Sequence, residues 1–332
     1  MTEEAHSENP VIVQAAQQGK FVIGVDVGGT KVAAGIVTAD GEIKHQARTP
    51  MIANSGAAAG FGAVKSVIDS LLAGAPETTI RAIGVCAPGP LDPNTGVVIN
   101  PPNLPCWRNF PLAAELTKLY SVPVKIDNDA NAAAVAEAQW GAGRGYRNVF
   151  YACIGTGIGT GIVCDGRIYH GRTGAAGEGG HVSIDYRGPR CKCGKPGCIE
   201  ILASGTAIAE RARKKLSSKD TRSSLLALAH GNIEAVTSEM VGQAHADGDP
   251  IAGEILQETI GVLSLWLSNI VDLLEPDVMI LGGGVAAMLS SSFDEIRSRI
   301  QQYCVNSRSG EIPLLPARYG ADAGIAGGAA LG

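Results

Sequence analysis

The stretch FVIGVDVGGTKVAAGIV, residues 21–37, decides how this chain is read. Residues 21–27 are an apolar, β-branched run that ends on Gly28-Gly29-Thr30. A second run, residues 32–37, follows at once and closes on Asp40-Gly41. β-Branched residues suit a pleated, half-buried surface, and an Asp-Gly pair is a hairpin signal. The segment therefore predicts strand, glycine turn, strand, hairpin turn, strand. The layout recurs far down the chain, where residues 149–154 run into Gly155-Thr156-Gly157-Ile158-Gly159-Thr160-Gly161, then Ile162-Val163 and Asp165-Gly166. An internal duplication, with one β-rich half in each lobe, explains this economically. Two unrelated Gly-rich hairpins are the alternative.

Between the copies the pattern predicts a helix over 60–72 and a strand over 82–86. A stiff, extended loop follows over 88–111, because Pro88, Pro90, Pro93, Pro101, Pro102, Pro105 and Pro111 crowd there. A helix over 112–119, a strand over 122–126 and a helix from Ala130 come next. Beyond residue 200 the chain reads as largely helical, then as a short strand over 278–281, Gly282-Gly283-Gly284, a helix, and a small-residue helix from Ala321. Residues 255–274 carry Leu256, Ile260, Leu263, Leu267, Ile270 and Leu274 at helical spacing. Glu258, Ser264, Ser268, Asn269 and Asp272 interrupt them, so this is a buried amphipathic helix rather than a membrane span.

A chain of 332 residues is long for one core, and an apolar share of 45% suits a densely packed α/β protein of two lobes. The net charge of −5 offers no electrostatic reason for nucleic acid or an anionic membrane as partner. Residues 1–20 begin acidic and polar without a signal-peptide pattern, which predicts a flexible tail on a cytoplasmic protein. The eight cysteines are not spaced as a disulfide framework.

Four places carry chemistry. Glycine turns let backbone N–H groups converge on an anion, so the two turns are candidate polyphosphate grips, although each alone is also an ordinary tight turn. No GxxxxGK[ST] is present. Gly282 to Ala287 fits GxGxxA, but no acidic strand end follows about twenty residues on, so close backbone approach to an adenosine group fits better than a dinucleotide site. Asp127-Asn128-Asp129-Ala130-Asn131 ends a strand and opens an Ala-rich helix. Asn128 or Asp129 serves there either as a helix cap or as a catalytic carboxylate, and the crowding of polar groups favours the latter. His181, Cys191, Cys193 and Cys198 form H-x9-C-x-C-x4-C, the donor set of a closed, structural Zn2+ site. Glu178 and Glu200 flank it, either as acceptors for sugar hydroxyls or as solvated surface glutamates.

The motifs Val25-Asp26-Val27-Gly28-Gly29-Thr30-Lys31, Asn128-Asp129-Ala130-Asn131, Gly177-Glu178-Gly179-Gly180-His181 and the cysteine run to Glu200 together resemble the ROK family of sugar kinases and repressors. The likeness extends from Phe21 to the closing run of Gly and Ala. It implies an α/β, two-lobed actin/hexokinase-type (ribonuclease H-like) fold with a nucleotide cleft between the lobes. The lobes would be 21–127 plus 316–332 and 128–315, the larger carrying the zinc loop and a helical dimerisation region of a homodimer. It implies transfer of the γ-phosphate of ATP, with Mg2+, to the 6-hydroxyl of a free hexose. Asp129 would be the catalytic base, and Asn103, Asn128, Glu178, His181 and Glu200 would bind the sugar. Asp26 would help to place Mg2+. Gly28, Gly29, Thr30, Lys31, Thr156 and Gly157 would hold phosphates, with Gly283 and Gly284 under adenosine. Gly179 and Cys106 depart from the family pattern beside the sugar residues.

Glucose is the first acceptor considered, ahead of N-acetylmannosamine, N-acetylglucosamine, mannose and fructose. The rivals are a polyphosphate-dependent kinase, a non-catalytic sugar sensor, and a DNA-binding repressor. About twenty residues ahead of Phe21 are too few for the helix-turn-helix that the repressor requires, and the retained Asp129 argues against the sensor.

Overall fold

The computed structural model describes residues 20–218 and 223–332, so the expected tail lies outside the described residues save for Lys20. Its contacts divide the described chain into two units, residues 20–141, 168–176 and 321–332, and residues 142–167 and 177–320.

The first unit holds strands β1 (Phe21–Val27), β2 (Lys31–Val37), β3 (Ile43–Pro50), β4 (Ile80–Ala87), β5 (Leu91–Asp92), β6 (Val97–Val98) and β7 (Val124–Asn128). Its helices are α1 (Ala57–Ala73), α2 (Leu112–Tyr120), α3 (Asp129–Gln139) and, from the far end of the chain, α11 (Ala323–Leu331). The main sheet runs β3-β2-β1-β4-β7. β1, β2 and β3 form the antiparallel meander foreseen from the glycine turn, and β4 and β7 add in parallel. β1 reads as a near-continuous apolar run because both of its faces are covered. Ile23 and Val25 join Val64, Ile68, Val85 and Leu116 on one side, while Val22 meets Ile325 and Ala329 on the other.

The second unit holds β8 (Val149–Ile154), β9 (Ile158–Cys164), β10 (Arg167–Ile168), β11 (Val278–Gly282) and β12 (Leu314–Pro316). Its sheet runs β10-β9-β8-β11-β12, again an antiparallel hairpin extended by parallel strands. The strand order thus repeats that of the first unit, in keeping with the repeated layout in the sequence. Helices α4 (Glu200–Ala203), α5 (Gly205–Leu216), α6 (Leu225–Leu228), α7 (Ser238–Ala246), α8 (Pro250–Leu274), α9 (Gly283–Met288) and α10 (Phe293–Tyr303) complete it. α8 begins at Asp249, whose carboxylate caps the N–H groups of Ile251 and Ala252 at 2.9 and 3.0 Å. Its buried Thr259 and Ser264 donate back to carbonyls one turn earlier. Among the described residues no helix is long and apolar enough to cross a membrane.

The proline-rich segment differs from the expected loop. β5 and β6 pair within it, and Val98 bridges to Phe110. Trp107 is fully buried, stacks on Phe110 at 5.3 Å and donates to the Ala57 carbonyl at 3.4 Å. One aromatic anchor therefore gives the segment a fixed seat.

α11 lies against β1 and β4 so closely that backbone meets backbone at two glycines. A Cβ on Gly24 would overlap the Ile325 carbonyl oxygen, and one on Gly84 would overlap that of Gly328. Gly62, in contrast, stands in α1 with nothing near its missing Cβ. In chemical denaturation, Gly84→Ala should lower stability by about 1–3 kcal/mol or more. Gly62→Ala should raise it by about 0.5–1 kcal/mol through the helix term alone. Equal effects at the two positions would contradict this packing.

Candidate functional site

The parallel strands of the first unit end together. The register pairs Asp26 with Cys86 and Cys86 with Asp127, so the ends of β1, β4 and β7 bring Asp26, Cys86, Asp127 and Asn128 side by side. In open α/β sheets this carboxyl edge is where ligands bind. The first glycine turn leaves the same end of β1. Gly28 N–H donates to the Lys31 carbonyl at 2.9 Å, and a Cβ on Gly29 would stand 2.7 Å from the Asn103 carbonyl oxygen. Glycine there lets the proline-rich segment reach the turn and sets exposed Asn103 beside it.

Asn128 caps α3. Its Oδ1 accepts from the N–H groups of Ala130 and Asn131 at 2.9 and 3.4 Å, and its amide also hydrogen-bonds the Asp129 carboxylate, which opposes the rise of that group's pKa. The cap reading thus holds for Asn128 and relieves Asp129 of that task. Asp129 is the first residue of α3, and its Oδ1 accepts the next N–H, that of Ala130, at 2.8 Å. Its side chain reaches solvent, yet enough protein surrounds it that desolvation raises its pKa above 3.8. The Ala130 N–H opposes this and the Asp26 charge adds to it. Burial likewise raises Asp26, against the Cys86 thiol and the charges of Lys31 and Arg48. For a raised carboxyl, stability from the group is fully present below the unfolded pKa and is lost as pH rises through the folded one. The ionised Asp129 is therefore held at a cost in stability.

In the second unit the Glu200 carboxylate lies over the other glycine turn. Oε2 accepts the Ile158 N–H at 3.0 Å, and a Cβ on Gly157 would stand 2.6 Å from it. Thr156, exposed, accepts from the Thr206 hydroxyl through its carbonyl at 2.8 Å. Glu178, also exposed, opens the 3-10 turn Gly179–His181 and accepts the His181 N–H at its carbonyl. Gly283 has φ of +87°, and its missing Cβ would stand 2.7 Å from the Ile154 carbonyl carbon, whereas nothing approaches Gly284.

His181, Cys191, Cys193 and Cys198 bring their donor atoms within 4.8 Å of one another. Cys193 and Cys198 sulfurs are 3.5 Å apart, and His181 Nδ1 is 3.6 Å from Cys191 Sγ. Tetrahedral Zn2+ with bonds of about 2.3 Å to sulfur gives edges of about 3.7 Å. The cluster is therefore compatible with structural zinc, and His181 keeps Nε2 for another partner.

Sequence reasoning passed over Cys86, Asp127 and His170. Asp127 is buried, and its Oδ2 lies 2.6 Å from His170 Nε2. The link spans 43 positions, so no local spacing announces it.

The ROK family profile matches residues 22–332. The chain belongs to the ROK family. A glucokinase of Thermotoga maritima is 32% identical over 310 residues, 93% of this chain and 96% of its own. An N-acetylmannosamine kinase of Escherichia fergusonii is 31% identical over 93% of this chain and 97% of its own. Xylose repressors also match. The structure of a ROK glucokinase from Streptomyces griseus, with glucose and AMPPNP, superposes with a TM-score of 0.78 at 31% identity and covers 93% of this chain and 98% of its own. The fold of this ROK chain is accordingly the two-lobed actin/hexokinase type.

Elemental analysis should find about one zinc per ROK chain. Chelation or Cys198→Ser should remove it and lower Tm by several degrees, and a fully stable, metal-free protein would contradict that expectation.

Proposed function

We propose that this ROK chain is an ATP-dependent hexose kinase that phosphorylates the 6-hydroxyl of a free hexose, with glucose as the preferred acceptor. One observation carries this reading. A glycine turn, the Asp26 carboxylate and the raised Asp129 carboxylate share the carboxyl end of the parallel strands of one mixed sheet.

Asp129 is the base. Its carboxylate takes the proton of the sugar hydroxyl as that oxygen bonds to the γ-phosphorus. The bond from the γ-phosphorus to the β–γ bridging oxygen breaks, and ADP leaves. A carboxylate whose proton affinity is raised is a better proton acceptor. The turn from Gly28 to Lys31 holds phosphate oxygens through the N–H groups that the bond from Gly28 N–H to the Lys31 carbonyl leaves free, and the Lys31 ammonium adds charge there. Thr156 and Gly157 are proposed to contribute likewise, and Gly284 leaves open room for the adenosine beside the tight turn at Gly283. Asp26 offers hard carboxylate oxygens, and Gly324 lets α11 pack close against them, since a Cβ there would stand 2.6 Å from Oδ2. A carboxylate donor of this kind suits Mg2+, which when bound would neutralise charge developing on the phosphates. The Asn103 side chain and the Asn128 amide offer groups suited to sugar hydroxyls, and Glu178, His181 Nε2 and Glu200 are proposed for the same role. His181, Cys191, Cys193 and Cys198 would hold zinc, which would fix the loop between His181 and Glu200.

Glucose is favoured because glucokinases recur among the relatives. An N-acetylmannosamine kinase at similar identity is the reason that the acceptor needs its own test.

The test is phosphorylation of a panel of hexoses and N-acetylhexosamines, with ATP or polyphosphate as donor, by the native chain and by Asp129→Asn. Glucose should be turned over with ATP, and the variant should lose about 10²–10⁴-fold in kcat. Turnover of no sugar, with sugar binding intact, would instead mark a sensor.

A further inference from the structure

Asp127 is the penultimate residue of β7, two positions ahead of Asp129, and it is 3% exposed. A carboxylate buried this far is costly unless donors surround it. Oδ1 accepts the Asn128 N–H at 2.7 Å and the Asn131 amide at 3.1 Å. Oδ2 faces His170 Nε2 at 2.6 Å. An ionised carboxylate can only accept, so Nε2 carries the proton.

These donors differ in origin. The first two lie within the turn between β7 and α3, on which Asp129 stands. The third arrives on residues 168–176, which belong to the first unit although the chain on either side belongs to the second. That segment is seated at a second point, where a Cβ on Gly174 would stand 2.9 Å from Pro93 Cδ. It is closed by the Ala176 N–H on the His170 carbonyl at 3.1 Å.

We propose that His170 is a positioning residue for phosphoryl transfer, which through Asp127 holds the turn that presents the Asp129 carboxylate. The proposal rests on the kinase reading of Asp129. Without His170, Oδ2 is a buried acceptor lacking its donor. The carboxylate then turns toward water, and Oδ1 leaves the Asn128 N–H that orients the peptide just ahead of Asp129. A base displaced by a fraction of an ångström loses rate far more than it loses binding. A link that merely satisfied a buried carboxylate would behave otherwise, costing stability and leaving the folded enzyme's kcat intact.

The test compares native protein, His170→Ala and His170→Gln for kcat, for KM of sugar and of ATP, and for Tm. The alanine variant should lose about 10–100-fold in kcat, with both KM values within about threefold of native. Glutamine, which keeps an N–H donor, should recover at least half of that loss on a logarithmic scale. A kcat within about twofold of native in the alanine variant overturns the proposal. So does a glutamine variant as slow as alanine at native Tm. If alanine prevents folding, glutamine against His170→Asn, which is polar but short, makes the same comparison. A readout without activity completes the test. The His170 Nε2 proton should appear as a slowly exchanging, downfield NMR signal that Asp127→Asn abolishes. Its absence would overturn the proposal even in an active enzyme. A native chain that turns over no hexose would instead sink the kinase reading and leave this signal to report on the pair alone.

Discussion

The first unit depends on how closely α11 lies between the sheet and α3. Gly24 and Gly84 let its backbone touch β1 and β4, and Gly327 lets α3 approach its other side, where a Cβ would stand 2.8 Å from the Ala132 carbonyl carbon. Each contact replaces a side chain with backbone. Interiors pack at near-crystalline density, so an added methyl must displace an element rather than fill a gap. The same helix begins beside Asp26, through Gly324, while α3 begins with Asp129. The glycines that hold the layers together therefore also fix the spacing of two carboxylates.

That spacing has an electrostatic consequence. Burial raises both groups, and the charge of Asp26 raises Asp129 further. Lys31 and Arg48 offset this at Asp26, but neither is among the causes acting at Asp129. Two carboxylates at one strand edge are thereby set apart, one beside cations and one without them. This is the arrangement expected when one anchors charge and the other moves a proton. Between them the thiol of Cys86 is buried, 3.6 Å from Asp26 Oδ1 and 3.2 Å from the Gly324 carbonyl oxygen. Burial pushes that thiol well above its ordinary pKa, so it acts as a neutral donor.

Features that live in local spacing were legible in the sequence. The glycine turn after β1, its counterpart after β8, the helix opening at Asn128 and the His/Cys cluster are each encoded within a few residues or one short loop. The ribbon inside the proline-rich segment was not, because the burial of Trp107 and the Val98–Phe110 bridge are tertiary facts. The Asp127–His170 pair escaped for the same reason. In the sequence Asp127 is one more polar residue in a crowded run, and nothing near His170 points to a partner 43 positions away. The register that sets Asp26 beside Cys86 and Cys86 beside Asp127 joins three distant strands, which periodicity alone does not align.

The central claim is that the fold holds Asp129 as a carboxylate with raised proton affinity, in part through Asp26. Its most direct test is an NMR titration of the Asp129 side-chain carboxyl carbon in the native protein and in Asp26→Asn. The account predicts a native pKa above 3.8 that moves down when the Asp26 charge is removed. A native value at or below 3.8, or one indifferent to Asp26, would contradict it.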